Sequence, residues 1–308
     1  MPSPSRRRGA RYLCSRKKTT VTVATEDESP NKWADMPLDW ILAVFHKLDH
    51  IDILMGADQV CRSWRRAARD EPELWRRIVM RGNADLSFRL NRQGMACAAV
   101  RRSAGQCEAF CGEYAGDDGF LLYLSEQAPS LKSLRLVESY GVDTEIFAEA
   151  IKKFPLLEEL ELSRCNIRHV WHVIQFCPQL KHFRHVKKGY HIRDNYYDTR
   201  RGTHNMEASA IARMPGLLSL QLLGDHLDNE GLSAILDNCP HLELLDLRGC
   251  LNIRMDGSLR LNCVWVNWEK LCRYTLTDDR VHFCVDQLAL SYDKSTDDYE
   301  DFQQWQTY

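Results

Sequence analysis

The sequence predicts an α/β chain: a short all-helical module at the N-terminal end, then a curved solenoid with parallel strands inside and helices outside. Three observations predict it. Over 33–80, Leu38, Ile41, Leu42, Phe45 and Leu48 recur at helical spacing, and Val60, Trp64, Ala67 and Ala68 form a second stripe. From 103 onward the string Pro-x-Leu-x-x-Leu/Phe-x-Leu recurs along the chain. Its copies are followed by apolar, helix-like stretches such as Ile146 to Ile151 and Leu232 to Leu236, which makes a strand-then-helix unit.

Composition agrees with this class. The 308 residues are 44 % hydrophobic and 27 % charged, which is globular and excludes a wholly disordered chain. Lysine and arginine total 41 against 43 for aspartate and glutamate, so net charge gives no argument for nucleic acid or membrane, and neither is expected as a partner. The longest apolar run, Trp40 to Phe45, is far below the ~20 residues that cross a bilayer. No apolar core follows the basic N-terminal residues, so no secretory signal is expected. The 12 cysteines are then expected in a reducing compartment without a disulfide framework. No C-x-x-C pair exists, which argues against zinc ribbons, RING-type sites and thioredoxin-like redox chemistry.

Taken in order, residues 1–32 read as a disordered basic tail. Arg6, Arg7, Arg8, Arg11, Arg16, Lys17 and Lys18 precede the first acid, Glu26, and apolar area is too small to offset ordering entropy. The tail is either a nuclear-import signal or a solvated segment with no address. In the helical module, Asp35 is the expected N-cap with Pro37 just inside the first helix. Asp49-His50-Ile51-Asp52 reads as a turn with a new cap, and the next helix stops near Pro72, before Leu74 and Trp75. A core of this size is marginal, so apolar surface left over would be a docking face. Residues 81–102 read as a connector.

The repeats occupy 103–262. Their copies carry Pro129, Leu131, Leu134 and Leu136; Pro155, Leu157, Leu160 and Leu162; Pro178, Leu180 and Phe183, with His185 where leucine belongs; Pro215, Leu217, Leu220 and Leu222; and Pro240, Leu242, Leu245 and Leu247. An eroded copy precedes them, with Cys107 and Phe110 at the first apolar positions. The leucines point inward from a short strand and its turn, and the helix covers them. No unit closes its own core, so units stack. The long interval between Pro178 and Pro215 holds an insertion within 187–205, rich in Tyr190, Tyr196, Tyr197, Arg193, Arg200 and Arg201, read as an interface loop or a merely tolerated one. Trp265, Trp268 and Leu271 suggest a capping segment over 263–290, and 291–308 is an acidic, aromatic tail, flexible or partner-binding.

Chemistry-bearing groups are sparse. Cys165, His169, His172, Cys177, His182 and His185 cluster in sequence, but the repeat register disperses them. Cys165 and Cys250 hold equivalent places after the last leucine, and Cys177 and Cys239 both precede a repeat proline. No metal site and no cofactor are expected. Phosphate-loop, G-x-S-x-G and H-E-x-x-H motifs are absent, and no catalytic residues and no enzymatic activity are expected. Between the inward leucines lie Lys132 and Arg135, Glu159 and Glu161, Lys181 and Arg184, then Asp246 and Arg248. On stacked strands these form alternating basic and acidic rows. They are the expected target-binding residues, unless the rows pair with one another.

The segments Met36-Pro37-Leu38-Asp39-Trp40-Ile41-Leu42, Val60-Cys61-Arg62-Ser63-Trp64-Arg65 and Leu74-Trp75 resemble, in order, an F-box. Asn238-Cys239-Pro240-His241-Leu242 and Arg248-Gly249-Cys250 resemble the cysteine-containing leucine-rich repeat. From Trp33 to about Arg254 the chain resembles a plant-type F-box/leucine-rich-repeat protein. That resemblance implies a substrate receptor of a Skp–cullin–F-box ubiquitin ligase, with the F-box on a Skp-type adaptor, cullin reached through it, and the repeats on a protein target. By position, Pro37, Leu38, Ile41, Leu42, Val60 and Trp64 belong to the F-box core and adaptor-facing set, with Pro37 and Leu38 at its exposed start and Trp64 and Trp75 as packing residues. The rival expectations are a non-ligase leucine-rich scaffold with a structural F-box, and a metal- or thiol-dependent enzyme. Nucleus, cytoplasm or both are the expected locations.

Overall fold

The computed structural model describes residues 33–81, 90–167, 169–187, 205–250, 252–254 and, as backbone, 273–277 and 280–284. The basic tail, the Tyr/Arg insertion, Trp265, Trp268, Leu271 and the acidic tail lie outside them.

Helix α1 (Leu38–Phe45) buries Ile41 and Phe45. Asp35 does not cap it: Pro37 holds the N-cap position with no side-chain bond, and its carbonyl takes the amides of both Trp40 and Ile41. Proline's fixed φ makes the boundary instead of a carboxylate. Helix α2 (His50–Met55) is capped by Asp49, which accepts from the Ile51 amide at 3.0 Å. After a 3-10 turn at Ala57–Gln59, α3 (Arg62–Asp70) buries Trp64, Ala67 and Ala68. It stops before a second 3-10 turn, Pro72–Trp75. The Trp75 indole is fully buried and donates to the Ala68 carbonyl at 2.7 Å.

The helical module then turns into a strand, β1 (Arg77–Met80), which pairs in parallel with β2 (Ala109–Glu113). Between them, in the stretch expected to be a connector, stands α4 (Arg92–Arg102). The pattern continues as α5 (Asp118–Gln127), β3 (Ser133–Val137), α6 (Thr144–Ile151), β4 (Glu159–Ser163), α7 (Trp171–Ile174), β5 (His182–Val186), α8 (Met206–Ile211), β6 (Ser219–Leu223), α9 (Asn229–Asn238) and β7 (Leu244–Asp246). Strands β1 to β7 form one seven-stranded parallel sheet in chain order, the topology of a solenoid. A separate antiparallel pair, β8 (Arg273–Thr277) and β9 (Arg280–Cys284), follows.

Register explains the repeat. Ile78, Phe110, Leu134, Leu160, Phe183, Leu220 and Leu245 align across the strands as one inward row. All are buried, at 3 % exposure or less. The second inward row runs Met80, Gly112, Leu136, Leu162, His185 and Leu222. At Gly112 the Phe110 ring occupies the space, since an added Cβ would meet it at 2.7 Å. The amides opening each strand share one carbonyl of the strand before: Lys132 and Ser133 on Glu108, Glu158 and Glu159 on Lys132, Lys181 and His182 on Glu158. Asp117, Asp143 and Asp228 cap α5, α6 and α9 through their carboxylates. The cysteines follow register as expected: the Cys165 thiol donates to the Leu136 carbonyl at 3.3 Å and the Cys250 thiol to Leu222 at 3.2 Å.

Candidate functional site

Two surfaces and one buried cluster carry the polar and apolar features that packing leaves over. The first surface is on the helical module. Among the described residues, half of the exposed large hydrophobics fall within 33–81: Trp33, Leu38, Trp40, Met55 and Val60. Leu38 is 44 % exposed, Val60 51 % and Trp40 68 %. Of the residues expected to face an adaptor, Pro37, Leu38 and Val60 are exposed, and Leu42 is half-buried. Ile41 and Trp64 are buried and serve the core. The Trp64 ring meets Phe45 edge-on with centroids 5.4 Å apart, and its indole donates to the Trp33 carbonyl at 3.1 Å. Trp40 was not in the expected set. Its signal was present, since on α1 it falls off the Ile41–Phe45 stripe.

The second surface is the outward face of the sheet. Arg135, Glu161, Arg184, Gln221 and Asp246 align in register. The rows pair with one another. Arg135 lies 3.5 Å from Glu159 and 3.9 Å from Glu161, Arg184 lies 3.5 Å from Glu161, and Arg184 donates to Gln221 at 3.0 Å. Ser133 and Ser163 hydroxyls hold the Glu159 and Glu161 carboxylates at 2.7 and 2.8 Å. Arg135, Glu159, Glu161 and Arg184 thus form one ladder. Lys132 and Lys181 stand apart from it, beside Glu108 at 3.6 Å and Glu158 at 3.0 Å. Asp246, expected to be exposed, is only 1 % exposed. Arg248, two residues on, folds back over it in a two-nitrogen contact at 2.8 and 3.0 Å, which seals the carboxylate from solvent.

The third feature is inside. His185 holds a leucine position and is 6 % exposed. Burial, aided by the Lys187 ammonium, pushes its pKa down to about 4, so the ring is neutral. Glu207 and Asp225 lie beside it. Burial and the neighbouring Asp225 raise Glu207 well above the usual carboxylate range. Burial also opposes ionisation of Asp225, but the bond from Glu207 and the Lys187 ammonium outweigh it and hold Asp225 ionised. The other histidines and cysteines of the 165–185 stretch do not join this group, and the neighbours of His185 come from outside that stretch.

Thiol chemistry has little support in the solenoid. Burial pushes Cys107, Cys165 and Cys177 up to about 12, far from thiolate formation at neutral pH. Cys61, in the helical module, is the exception. Burial opposes its ionisation, but bonds from Ser63 and the Trp64 backbone outweigh it and lower the thiol. Among the described residues no helix is long and apolar enough to cross a membrane.

Comparison with known proteins places these features. An F-box-like family model matches residues 33–81, the helical module through β1. F-box/LRR-repeat protein 22 of Arabidopsis thaliana is 38 % identical over 84 % of this chain and 82 % of its own length. F-box protein SKIP19 of the same plant is 39 % identical over 78 % of this chain and 77 % of its own. A chain of the crystal structure of the yeast Rad7 and Elc1 complex superimposes with a TM-score of 0.40 and 17 % identity, covering 72 % of this chain and 57 % of that one, too loosely to carry an argument. The match over the helical module and the two plant relatives, each covered over most of its length, agree with the resemblance read from the motifs: the chain belongs to the F-box/leucine-rich-repeat family.

Proposed function

We propose that this protein is the substrate-recognition subunit of a Skp–cullin–F-box ubiquitin ligase. The exposed apolar residues of the F-box carry the reading. A small helical module that leaves Leu38, Trp40 and Val60 in water has surface suited to a partner, and a Skp-type adaptor is the partner its family implies. Cullin is reached through that adaptor. The solenoid presents the target on the outward face of its sheet, where Arg135, Glu159, Glu161 and Arg184 form a ladder of alternating charge. Such a ladder selects a partner of complementary pattern more than it adds affinity. The subunit is non-catalytic: it raises the effective concentration of target lysines near a conjugating enzyme carried by other subunits.

A second reading, a scaffold whose F-box only caps the solenoid, draws on one observation: β1 belongs to both the F-box match and the seven-stranded sheet. Calorimetry with a purified Skp-type adaptor separates the two. The receptor reading expects binding by the full chain and its loss in a Pro37→Ala/Leu38→Ala double variant of unchanged thermal stability. A well-folded wild type that gives no heat of binding overturns it and leaves the scaffold.

A further inference from the structure

An imidazole in a column of leucines needs a use for its nitrogens. His185 occupies the second inward row between Leu162 and Leu222, and its Nδ1 has no hydrogen-bond partner among the described residues. It lies 3.9 Å from Oε2 of Glu207, which also has none. Glu207 comes from the first turn of α8, His185 from β5 and Asp225 from the loop after β6. Three separate pieces of chain therefore aim donors at one point. One nitrogen and two carboxylate oxygens, one per residue, all lie within 4.8 Å of one another. The residues are 6, 9 and 4 % exposed. The cation now at hand is the Lys187 ammonium, 2.7 Å from Asp225 Oδ2 and 3.6 Å from Glu207 Oε1.

From this geometry we propose that His185, Glu207 and Asp225 form a binding site for one divalent transition-metal ion, zinc by ligand type. A neutral imidazole with two carboxylates is a three-ligand zinc set that leaves a fourth position for water. Magnesium and calcium fit worse, because they require an all-oxygen shell of six or more ligands. Ligands at zinc distances sit about 3.3 Å apart on a tetrahedron, so the His185–Glu207 pair closes by roughly half an ångström and the widest pair by about 1.5 Å, which side-chain rotation supplies. Two carboxylates balance the charge of the ion. The ammonium is then surplus, and Lys187, whose side chain is 29 % exposed, has a path to solvent. The ion and the lysine thus compete for one place.

The test compares the full chain with His185→Leu and Lys187→Met. Each is incubated with zinc chloride and desalted, and bound zinc is measured by elemental mass spectrometry. Leucine is the residue the register puts at 185, so that variant keeps the fold, and it keeps all 12 cysteines, so thiol-bound zinc cancels in the difference. The proposal expects about one zinc equivalent more in wild type than in His185→Leu. It expects Lys187→Met, which frees the carboxylates of their ammonium, to bind zinc about tenfold more tightly. Cobalt bound at the site should show tetrahedral d–d bands with no thiolate charge-transfer band. Equal zinc in wild type and His185→Leu overturns the proposal and leaves a buried ion pair closed by Lys187.

Discussion

Trp40 and Ile41 are chain neighbours on α1, one turned to water and the other to the core, and that contrast permits a decisive pair of substitutions. Trp40 is 68 % exposed and Ile41 is 2 % exposed. A tryptophan that buries ~200–250 Å² in all leaves about 150 Å² of Trp40 in water. At ~25 cal/mol per Å², covering that area is worth up to about 4 kcal/mol to a complex, and measured truncations of such anchors commonly fall near 2 kcal/mol or above. Trp40→Ala should therefore weaken adaptor binding by about 30-fold or more while leaving the melting temperature unchanged. Ile41→Ala removes buried methylenes beside Phe45 and should cost about 2–5 kcal/mol of folding free energy. That lowers the melting temperature by several degrees, and adaptor affinity measured on the folded fraction stays close to wild type. Isothermal calorimetry gives the first quantity and scanning calorimetry the second. Binding by Trp40→Ala within threefold of wild type, or a thermal loss equal to that of Ile41→Ala, would refute the assignment of this face.

Three further outcomes follow from other parts of the fold. Arg102→Met breaks the 2.9 Å pair with Asp58 and the guanidinium stacking over Trp75, leaving a buried carboxylate between F-box and solenoid; a loss of about 2–4 kcal/mol is expected in urea unfolding, with part of it regained in Arg102→Met/Asp58→Leu. A loss below ~0.5 kcal/mol would remove this pair from the interface. Burial raises the thiols of Cys107, Cys165 and Cys177 in the folded chain, so the unfolded chain ionises first and stability present below about pH 9 is lost as pH rises toward 12. At pH 10 each thiol accounts for on the order of 1 kcal/mol, and Cys177→Ala should unfold with a shallower pH dependence than wild type between pH 8 and 10; parallel curves would contradict the burial argument. Glu161→Gln frees two half-exposed guanidiniums, Arg135 and Arg184, from one carboxylate. Because surface pairs contribute little, it should change stability by less than about 1 kcal/mol, and a larger loss would make the ladder structural.

Strands β3 to β7 were legible because one residue type recurs at one spacing, and leucine is what an inward row of a solenoid selects. Strands β1 and β2 were harder to read. Their inward residues are Ile78, Met80, Phe110 and Gly112, which satisfy the same packing with different volumes. The helix at 92–102 hid in the supposed connector for a similar reason: its buried side is Arg92, Ala96, Ala99 and Val100, which leaves no strong apolar stripe. Of the candidate sites, exposure at Pro37 and Leu38 could be read from sequence position, Val60 read as part of an apolar stripe, and mutual pairing of the charged rows stood as an open alternative whose partners the sequence could not name. Pairing depends on cross-strand register and on which way a guanidinium turns, as Arg248 shows by folding over Asp246. The buried cluster was invisible for a different reason. His185 stood out as a misplaced residue, but Glu207 and Asp225 reach it from beyond an insertion that obscures the repeat.

The junction between the two halves bears on how a receptor of this kind would work. His50 of α2 donates through Nε2 to the Leu74 carbonyl at 3.1 Å and accepts at Nδ1 from the Val79 amide at 3.1 Å, so one buried ring ties the F-box helices to β1. Trp75, Ile78 and Met80 are wholly buried in the core that continues into the first repeat. A hinge needs a segment that few contacts cross, and none separates β1 from the sheet it opens. In a tethered receptor, the effective concentration of target at the ligase would depend on linker length and fall as the linker lengthens. Here the exposed apolar face of the F-box and the charged ladder sit on one continuous core, so, on the proposed function, their separation is a property of the fold. On the proposed function, substrate lysines would then be selected by position as well as by contact: those lying at the fixed distance would be modified in preference to equally exposed lysines elsewhere.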